Sequence, residues 1–421
     1  MNQKLILDIS RLLLAAWRQT PSGIERVEMA YAKRLRQSGT LDFAAANIFR
    51  HLCILPRRLA LDYLDALEKT WNSGGSAPRR RIIQLAIVIN ALILGHRLLR
   101  PLVRFYPPNR GAAVVYINLS HENITRQQVI RRFIERHAAK VVIFVHDLIP
   151  LEFPEYVRPG QAGLHRARLE TALALADALL VNSNATGQAL VRHAGTRNVA
   201  PVHVLPLGVP AGMPNREPIE PAPYFVCLGT IEPRKNHLLL LHVWRSLAAT
   251  EAVIPRLLVI GRRGWENEMV VDMLERCADL AGHVEERPGV TDDVLQALLA
   301  GARALLLPSF AEGFGLPVAE ALRAGTPAIC SDLPALREAG GPVPEYLDPL
   351  DGLAWRQAIL DYAAPGSPRR QAQLERLRHW QPPDWSDHFE AFDQVIAALC
   401  SPLSEPRLTD QGTTAYLPGI V

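Results

Sequence analysis

The chain has 421 residues, 48% of them hydrophobic and 21% charged, with a formal net charge of +4. That balance excludes a disordered or fibrous chain and leaves room for two or three domains with large cores. The mild charge, only 6% aromatic residues and the lack of a basic stripe with interleaved aromatics speak against nucleic-acid binding. Cys53, Cys227, Cys277, Cys330 and Cys400 form no CxxC pair. This argues against a zinc site or disulfide framework and suits a reducing cytosol. The opening MNQKLILDIS lacks the long apolar segment of a signal peptide.

In chain order, KLILDIS reads as a strand, followed by the loop QTPSG and a helix over 24–37. In TPSGIERV, Gly23 would open a helix start to a phosphate or sugar; the same residues also fit a plain turn capped by Ser22. The segment 79–105 stands apart. Its apolar centre, 82–94, contains Gln84 and Asn90, is flanked by arginines and is too short to span a bilayer comfortably. Such a helix can lie on an anionic membrane surface, or it can be a core helix with a solvated basic end. GAAVVYINLS, KVVIFVHDL, ADALLVNSN and VHVLPLGV continue the strand pattern. His146 and Asp147 follow KVVIFV directly, at a strand end.

The proline-rich stretch 209–224 breaks the order and marks a linker at 209–222. YFVCLGT, RLLVIGRRG and ARALLLPS then restart the alternation of strand and helix. Alternation of this kind predicts an α/β chain of two doubly wound domains, 1–208 and 223–384, with parallel sheets covered on both faces. WSDHFEAFDQVIAALC reads as an amphipathic helix, and 403–421 as a loose tail.

In such folds ligands bind beyond the carboxyl ends of the strands. Two loops there carry charge in the second domain. In GTIEPRKNH, Arg234 and Lys235 lie near a helix start, where two cations and backbone amides suit a diphosphate. EGFGLPVAEAL (312–322) follows an apolar strand, with Gly313 and Gly315 allowing close backbone approach and Pro317 suiting the first helical turn. Glu312 and Glu320 could accept hydrogen bonds from sugar hydroxyls. The local alternative is that Glu320 complements the helix dipole and Glu312 is solvated.

GTIEPRKN, VIGRRGW, PGVTDDVLQALLAGARALLLPS, EGFGLPVAEAL and GTPAICSDLPALREAGG occur in that order over roughly 224–345. Together they resemble retaining glycosyltransferase family 4, whose fold is GT-B, two Rossmann-like domains facing a cleft. TPSGIERV, HDLIPLEFPE, VNSNAT and LPLGV extend the resemblance through the first half. DISRLL and SGIERV with HDLIPLEFPE and EPRKN are similar to bacterial mannosyltransferase-like members that build O-antigen and exopolysaccharide.

The resemblance implies roles. Glu312 matches the glutamate that contacts the donor sugar, and Glu320 the one that binds the nucleotide ribose. Gly313, Phe314, Gly315 and Leu316 would line the sugar and phosphates with their backbone. Lys235 would neutralise the diphosphate, Gly23 would approach it, and Val290 would meet the nucleobase. His146 matches an active-site histidine near the transferred sugar. Many members carry arginine directly after the strand-end glycine; here Thr230 stands there, and Arg234 would supply the second charge.

The resemblance further implies metal-independent chemistry without a cofactor. It implies a nucleotide-sugar donor, with GDP-mannose the first choice, and front-face attack in which the leaving phosphate accepts the acceptor's proton. The acceptor would be a glycan, on polyprenyl diphosphate, held by the N-terminal domain. Helix 385–402 would cross back to that domain. The chain would work in the cytoplasm, with 79–105 docking on the inner membrane. A non-catalytic sugar-nucleotide-binding scaffold and a GT-B-fold epimerase are the rival readings.

Overall fold

The computed structural model describes residues 3–18, 20–37, 40–46, 51–72, 79–99, 113–209, 220 and 223–401. The expected linker 209–222, apart from Val209 and Glu220, the tail 403–421 and the end of the basic-apolar segment, 100–105, lie outside the described residues.

The first half builds one sheet from β1 (Gln3–Asp8), β2 (Leu41–Ala46), β3 (Leu52–Leu55), β4 (Ala113–Asn118), β5 (Ala139–Val145), β6 (Ala178–Val181) and β7 (Val202–Val204). Their order is β3-β2-β1-β4-β5-β6-β7. All pair in parallel except β2 with the edge strand β3, which runs antiparallel. The second half builds β8 (Tyr224–Leu228), β9 (Arg256–Ile260), β10 (Val284–Arg287), β11 (Leu305–Leu307), β12 (Ala328–Ser331) and β13 (Glu345–Leu347) into a parallel sheet ordered β10-β9-β8-β11-β12-β13.

The near-continuous apolar runs of these strands follow from burial on both faces. In β8, Phe225 and Cys227 enter the core on one side of the sheet, and Tyr224 and Val226 the core on the other. The period-2 geometry of a strand divides them in this way. In the first sheet, Leu5 and Leu7 join one core and Ile6 the opposite one.

In each sheet the strand order reverses beside the first strand, between β1 and β4 and between β8 and β11. Connections there leave to opposite faces and open a crevice. The loops after β1, β4, β8 and β11 therefore border the cleft.

The chain returns to the first domain at its end. Helix Trp385–Cys400 packs Phe389, Phe392, Val395 and Ile396 into the same core as Tyr31. Tyr31 donates its hydroxyl hydrogen to His388 Nε2 at 2.7 Å, and His388 Nδ1 lies 2.9 Å from the Pro206 carbonyl oxygen. A Cβ on Gly208 would lie 2.4 Å from the backbone nitrogen of Trp385, so the two crossing segments meet almost backbone to backbone.

The basic-apolar segment forms helix Arg80–Leu99. Ile82, Ala86, Ile89 and Ile93 recur at helical spacing and are buried against the first domain's core. Ile87, Val88 and Leu92 are exposed at 58%, 47% and 45%. The core reading of this segment thus holds for one face of the helix, and the opposite face is exposed and apolar. Among the described residues, no helix is long and apolar enough to cross a membrane.

Candidate active site

The loop after β8 and the loop after β11 meet through ion pairs. Glu312 accepts hydrogen bonds from Lys235 Nζ at 2.5 Å, Arg234 Nη1 at 2.9 Å and Ser309 Oγ at 2.7 Å. Arg234 also donates to Glu232 Oε1 from Nε and Nη2, at 3.0 and 2.7 Å, and to the Ala311 carbonyl at 2.6 Å. Lys235 reaches Glu312 because its stem lies across Gly229, where a Cβ would stand 3.2 Å from Lys235 Cε and where φ is +146°. Thr230 is half-buried beside Gly264, where a Cβ would approach the threonine methyl to 2.7 Å.

This cluster is nearly sealed: the Lys235 and Glu312 side chains are 9% and 8% exposed. Burial alone would raise the Glu312 carboxyl. The Lys235 ammonium and the Arg234 guanidinium overcome burial and hold it at about 2. Arg234 is held charged in turn: burial opposes its charge, and Glu312, Glu232 and Asp147 more than offset burial. The four side chains carry two formal charges of each sign. Arg234 is thus committed largely to fixing Glu312, whereas Lys235 has two ammonium hydrogens beyond its bond to Glu312.

Backbone donors supply further positive potential. Helix Leu316–Arg323 starts after Gly315, whose φ is +101°. A Cβ at Gly315 would stand 2.4 Å from Leu336 Cδ2, so the position has room for no side chain. Val318 and Ala319 donate back to the Gly315 carbonyl. The amides of Phe314, Gly315 and Leu316 find no acceptor among the described residues. Unpaired amides at a helix N-terminus form an anion site.

The first domain closes over this loop. A Cβ on Gly313 would lie 2.5 Å from the His146 carbonyl oxygen and 3.0 Å from Asp147 Cβ. The Gly313 carbonyl accepts from Ser183 Oγ at 2.7 Å and Thr186 Oγ1 at 3.1 Å. Tyr156 stacks on Phe310 with ring centroids 5.4 Å apart. Gly23 faces Leu316: a Cβ there would make ordinary contact at 3.6 Å. The Gly23–Leu35 helix is set by a full capping box between Ser22 and Glu25, so the Ser22 cap expected at this turn is present.

His146 lies directly after β5 and is 5% exposed. Its Nε2 is 2.6 Å from the Leu119 carbonyl oxygen, so that nitrogen carries the ring proton. Burial lowers its pKa to about 4, the largest of several effects, leaving a neutral imidazole with Nδ1 as its acceptor. Glu320 lies in the helix after the loop. Burial raises its carboxyl to about 7; Arg26 works against that rise and Asp292 adds to it. Val290 is half-buried two residues before Asp292, just ahead of the Thr291 cap of helix Asp292–Gly301.

Residues 213–341 match the family model of glycosyl transferases group 1. The chain carries a group 1 glycosyltransferase domain. Over 164 residues it is 34% identical to the O-antigen chain mannosyltransferase B of Escherichia coli, covering 39% of this chain and 43% of that protein. Over 213 residues it is 29% identical to the serotype-specific mannosyltransferase WbdA of Escherichia coli, covering 46% of this chain and 26% of that one. The chain thus spans less than half the length of these relatives. The sucrose-phosphate synthase of Thermosynechococcus elongatus superposes over 94% of this chain and all of its own, with a TM-score of 0.61 at 17% identity. The fold is GT-B.

The glycosyltransferase domain and the domain before it bring together Gly313 with His146, Gly23 with Leu316, and Glu312 with Arg234 and Lys235. Three partners had no signal in the sequence. Ser309 and Glu232 hold the charged cluster from within the glycosyltransferase domain. Glu338 reaches out of that domain to accept from the backbone amides of Asn184 and Ala185, at 2.6 and 2.8 Å, at the start of helix Asn184–Ala194.

Proposed function

We propose that this protein is a retaining, metal-independent glycosyltransferase that moves a hexose, mannose from GDP-mannose, onto a growing lipid-linked cell-surface glycan. The observation that carries the reading is the pairing of buried Glu312 with Lys235 beside the unpaired amides of Phe314, Gly315 and Leu316. A carboxylate for sugar hydroxyls and a positive site for a diphosphate stand side by side. The mannosyltransferase names of the relatives favour mannose as the sugar.

The departing diphosphate gathers negative charge on its oxygens while the sugar ring becomes positive. Lys235 and the amides meet the first charge, and such preorganised stabilisation often contributes more than any other effect to a catalysed step. These donors supply the positive charge that a metal ion supplies elsewhere. On the same face of the sugar, the bond from the anomeric carbon to the phosphate oxygen breaks. The bond to the acceptor oxygen forms there, and the acceptor proton passes to the departing phosphate. His146, being neutral, accepts a hydroxyl hydrogen and orients the sugar. Gly23 leaves room for the phosphates, Thr230 replaces a charged side chain at the strand end, and Val290 meets the base. Glu320 receives the ribose.

The acceptor binds the N-terminal domain, which works at the cytoplasmic face of the inner membrane. The outer face of helix Arg80–Leu99 supports this placement. Ile87, Val88 and Leu92 lie exposed beyond exposed Arg80 and Arg81, and Leu14 and Trp17 are exposed at 45% and 54% on the neighbouring turns.

The test is a donor screen by calorimetry with GDP, UDP, dTDP and their sugars, beside Glu320→Ala. Selective GDP binding, weakened in the variant, is expected. Selective binding of another nucleotide would overturn the donor, and binding of none would overturn the transferase. Flotation with anionic vesicles tests the membrane face: Ile87→Asp with Leu92→Asp should abolish binding, and wild-type protein that stays unbound refutes docking.

A further inference from the structure

Arg26 belongs to the N-terminal domain, yet its guanidinium grips the other one. Its two terminal nitrogens donate to the two carboxylate oxygens of Asp292, at 2.6 and 2.5 Å. This ion pair joins helix Gly23–Leu35 of the first domain to helix Asp292–Gly301 of the second. Asp292 opens helix Asp292–Gly301, directly after the Val290–Thr291 turn.

Glu320 is a second carboxylate, on the facing helix: a Cβ on Gly23 would lie 3.6 Å from Leu316, Arg26 stands one turn after Gly23 in helix Gly23–Leu35, and Glu320 stands one turn after Leu316 in helix Leu316–Arg323. It is half-buried and accepts no hydrogen bond from a described residue. Arg26 on the facing helix and Asp292 on the helix beside it are the charged groups that bear on Glu320. Neither its own helix nor helix Pro334–Gly340, packed against it, adds another. Of these two acidic groups, Arg26 is bonded to the more exposed one, Asp292.

A carboxylate that receives two vicinal hydroxyls must be ionised, because the protonated form offers a donor where an acceptor is needed. The cation that sustains that ionisation comes from the opposite domain. We propose that Arg26 is a positioning residue through which the N-terminal domain completes the nucleotide site, holding Glu320 as a carboxylate, with Asp292 as its alternate partner. This rests on the reading above that Glu320 meets the ribose. The donor site is then finished only when the cleft closes, and Asp292 tempers it by competing for Arg26.

The sign of each perturbation follows. Without Arg26, burial and Asp292 act on Glu320 unopposed, its carboxyl rises further, and the ionised form appears only at higher pH. Without the Asp292 charge, one push upward disappears and Arg26 is released toward Glu320, so the ionised form persists to lower pH. Glutamine at 320 removes the titration.

The measurement is the affinity of the full chain for GDP by calorimetry between about pH 6 and pH 9, with melting curves confirming folded protein. Wild-type affinity should strengthen as pH rises through about 7. Arg26→Met should bind on the order of tenfold more weakly at neutral pH, with the loss shrinking as pH rises. Asp292→Asn, at a half-exposed position, should move the midpoint to lower pH. Glu320→Gln should bind weakly at every pH and be indifferent to Arg26→Met. An Arg26→Met profile that coincides with wild type, or that lies below it by the same factor at every pH, overturns the proposal. If Glu320→Gln binds GDP as wild type does, the ribose reading of Glu320 falls instead.

Discussion

Replacing Glu312 with glutamine removes one negative charge from a cluster of four and leaves the shape of the side chain intact. The structure sets the scale. A carboxyl held at about 2 against an ordinary 4.5 corresponds to about 3 kcal/mol in favour of the ionised, folded form. The side chain is 8% exposed, so solvent screens little of this. The folded value is the depressed one. The stabilisation is therefore complete above the unfolded value near 4.5, fades as pH falls toward 2, and is gone below it. The assay is urea unfolding of wild type and Glu312→Gln in steps from about pH 7 to about pH 3, followed by a fluorescence signal. The variant should be less stable by up to about 3 kcal/mol at neutral pH, and the two curves should converge on the acid side. A gap that stays constant through the acid range would refute the reasoning. It would mean that the variant loses packing or hydrogen bonds and that the charge of Glu312 is not what holds the loop.

Gly313→Ala would place a methyl group 2.5 Å from the His146 carbonyl oxygen, a backbone atom that cannot rotate away. The closed contact should be lost and turnover should fall at least tenfold, an order-of-magnitude figure for displacing a positioned loop by about 1 Å; kcat measured beside an unchanged melting temperature checks this. The neutral state of His146 predicts that its titration adds no inflection to the kcat profile between about pH 5 and pH 8, since its pKa is lowered to about 4. A midpoint near 6.5 that disappears in His146→Gln would contradict this.

The charged loops were legible because each lies in a short window. The apolar strand, the glycines and the helix start around Glu312 sit within a dozen residues, and so does the β8 loop. Among the parallel strands β2, β10, β12 and β13 were missed, and the other eight were legible because strands buried on both faces leave long apolar runs. The antiparallel edge strand β3 was not, since LCIL is too short to show alternation. Helix Arg80–Leu99 hid its orientation: Ile87, Val88 and Leu92 are as apolar as Ile82, Ile89 and Ile93, and only packing decides which set faces the core. The bond of Arg26 to Asp292 joins residues 266 apart, and that of Glu338 to Asn184 residues 154 apart. No periodicity connects such pairs; they exist only where elements of the two separate sheets' domains meet.

The Glu338 contact has a consequence for exchanging halves between related chains. Helix Asn184–Ala194 uses its own Ser183 to satisfy the Thr186 amide, but the amides of Asn184 and Ala185 are satisfied by a side chain from the other domain. Each half thus carries an open valence that the other fills. A chimera that grafts a foreign second domain onto residues 1–208 could keep every group of the donor pocket and still fail to shut, for want of one acid on the face of helix Pro334–Gly340. Compatibility between halves is written in the seam, outside the pocket, and seam residues would have to travel together in any successful recombination.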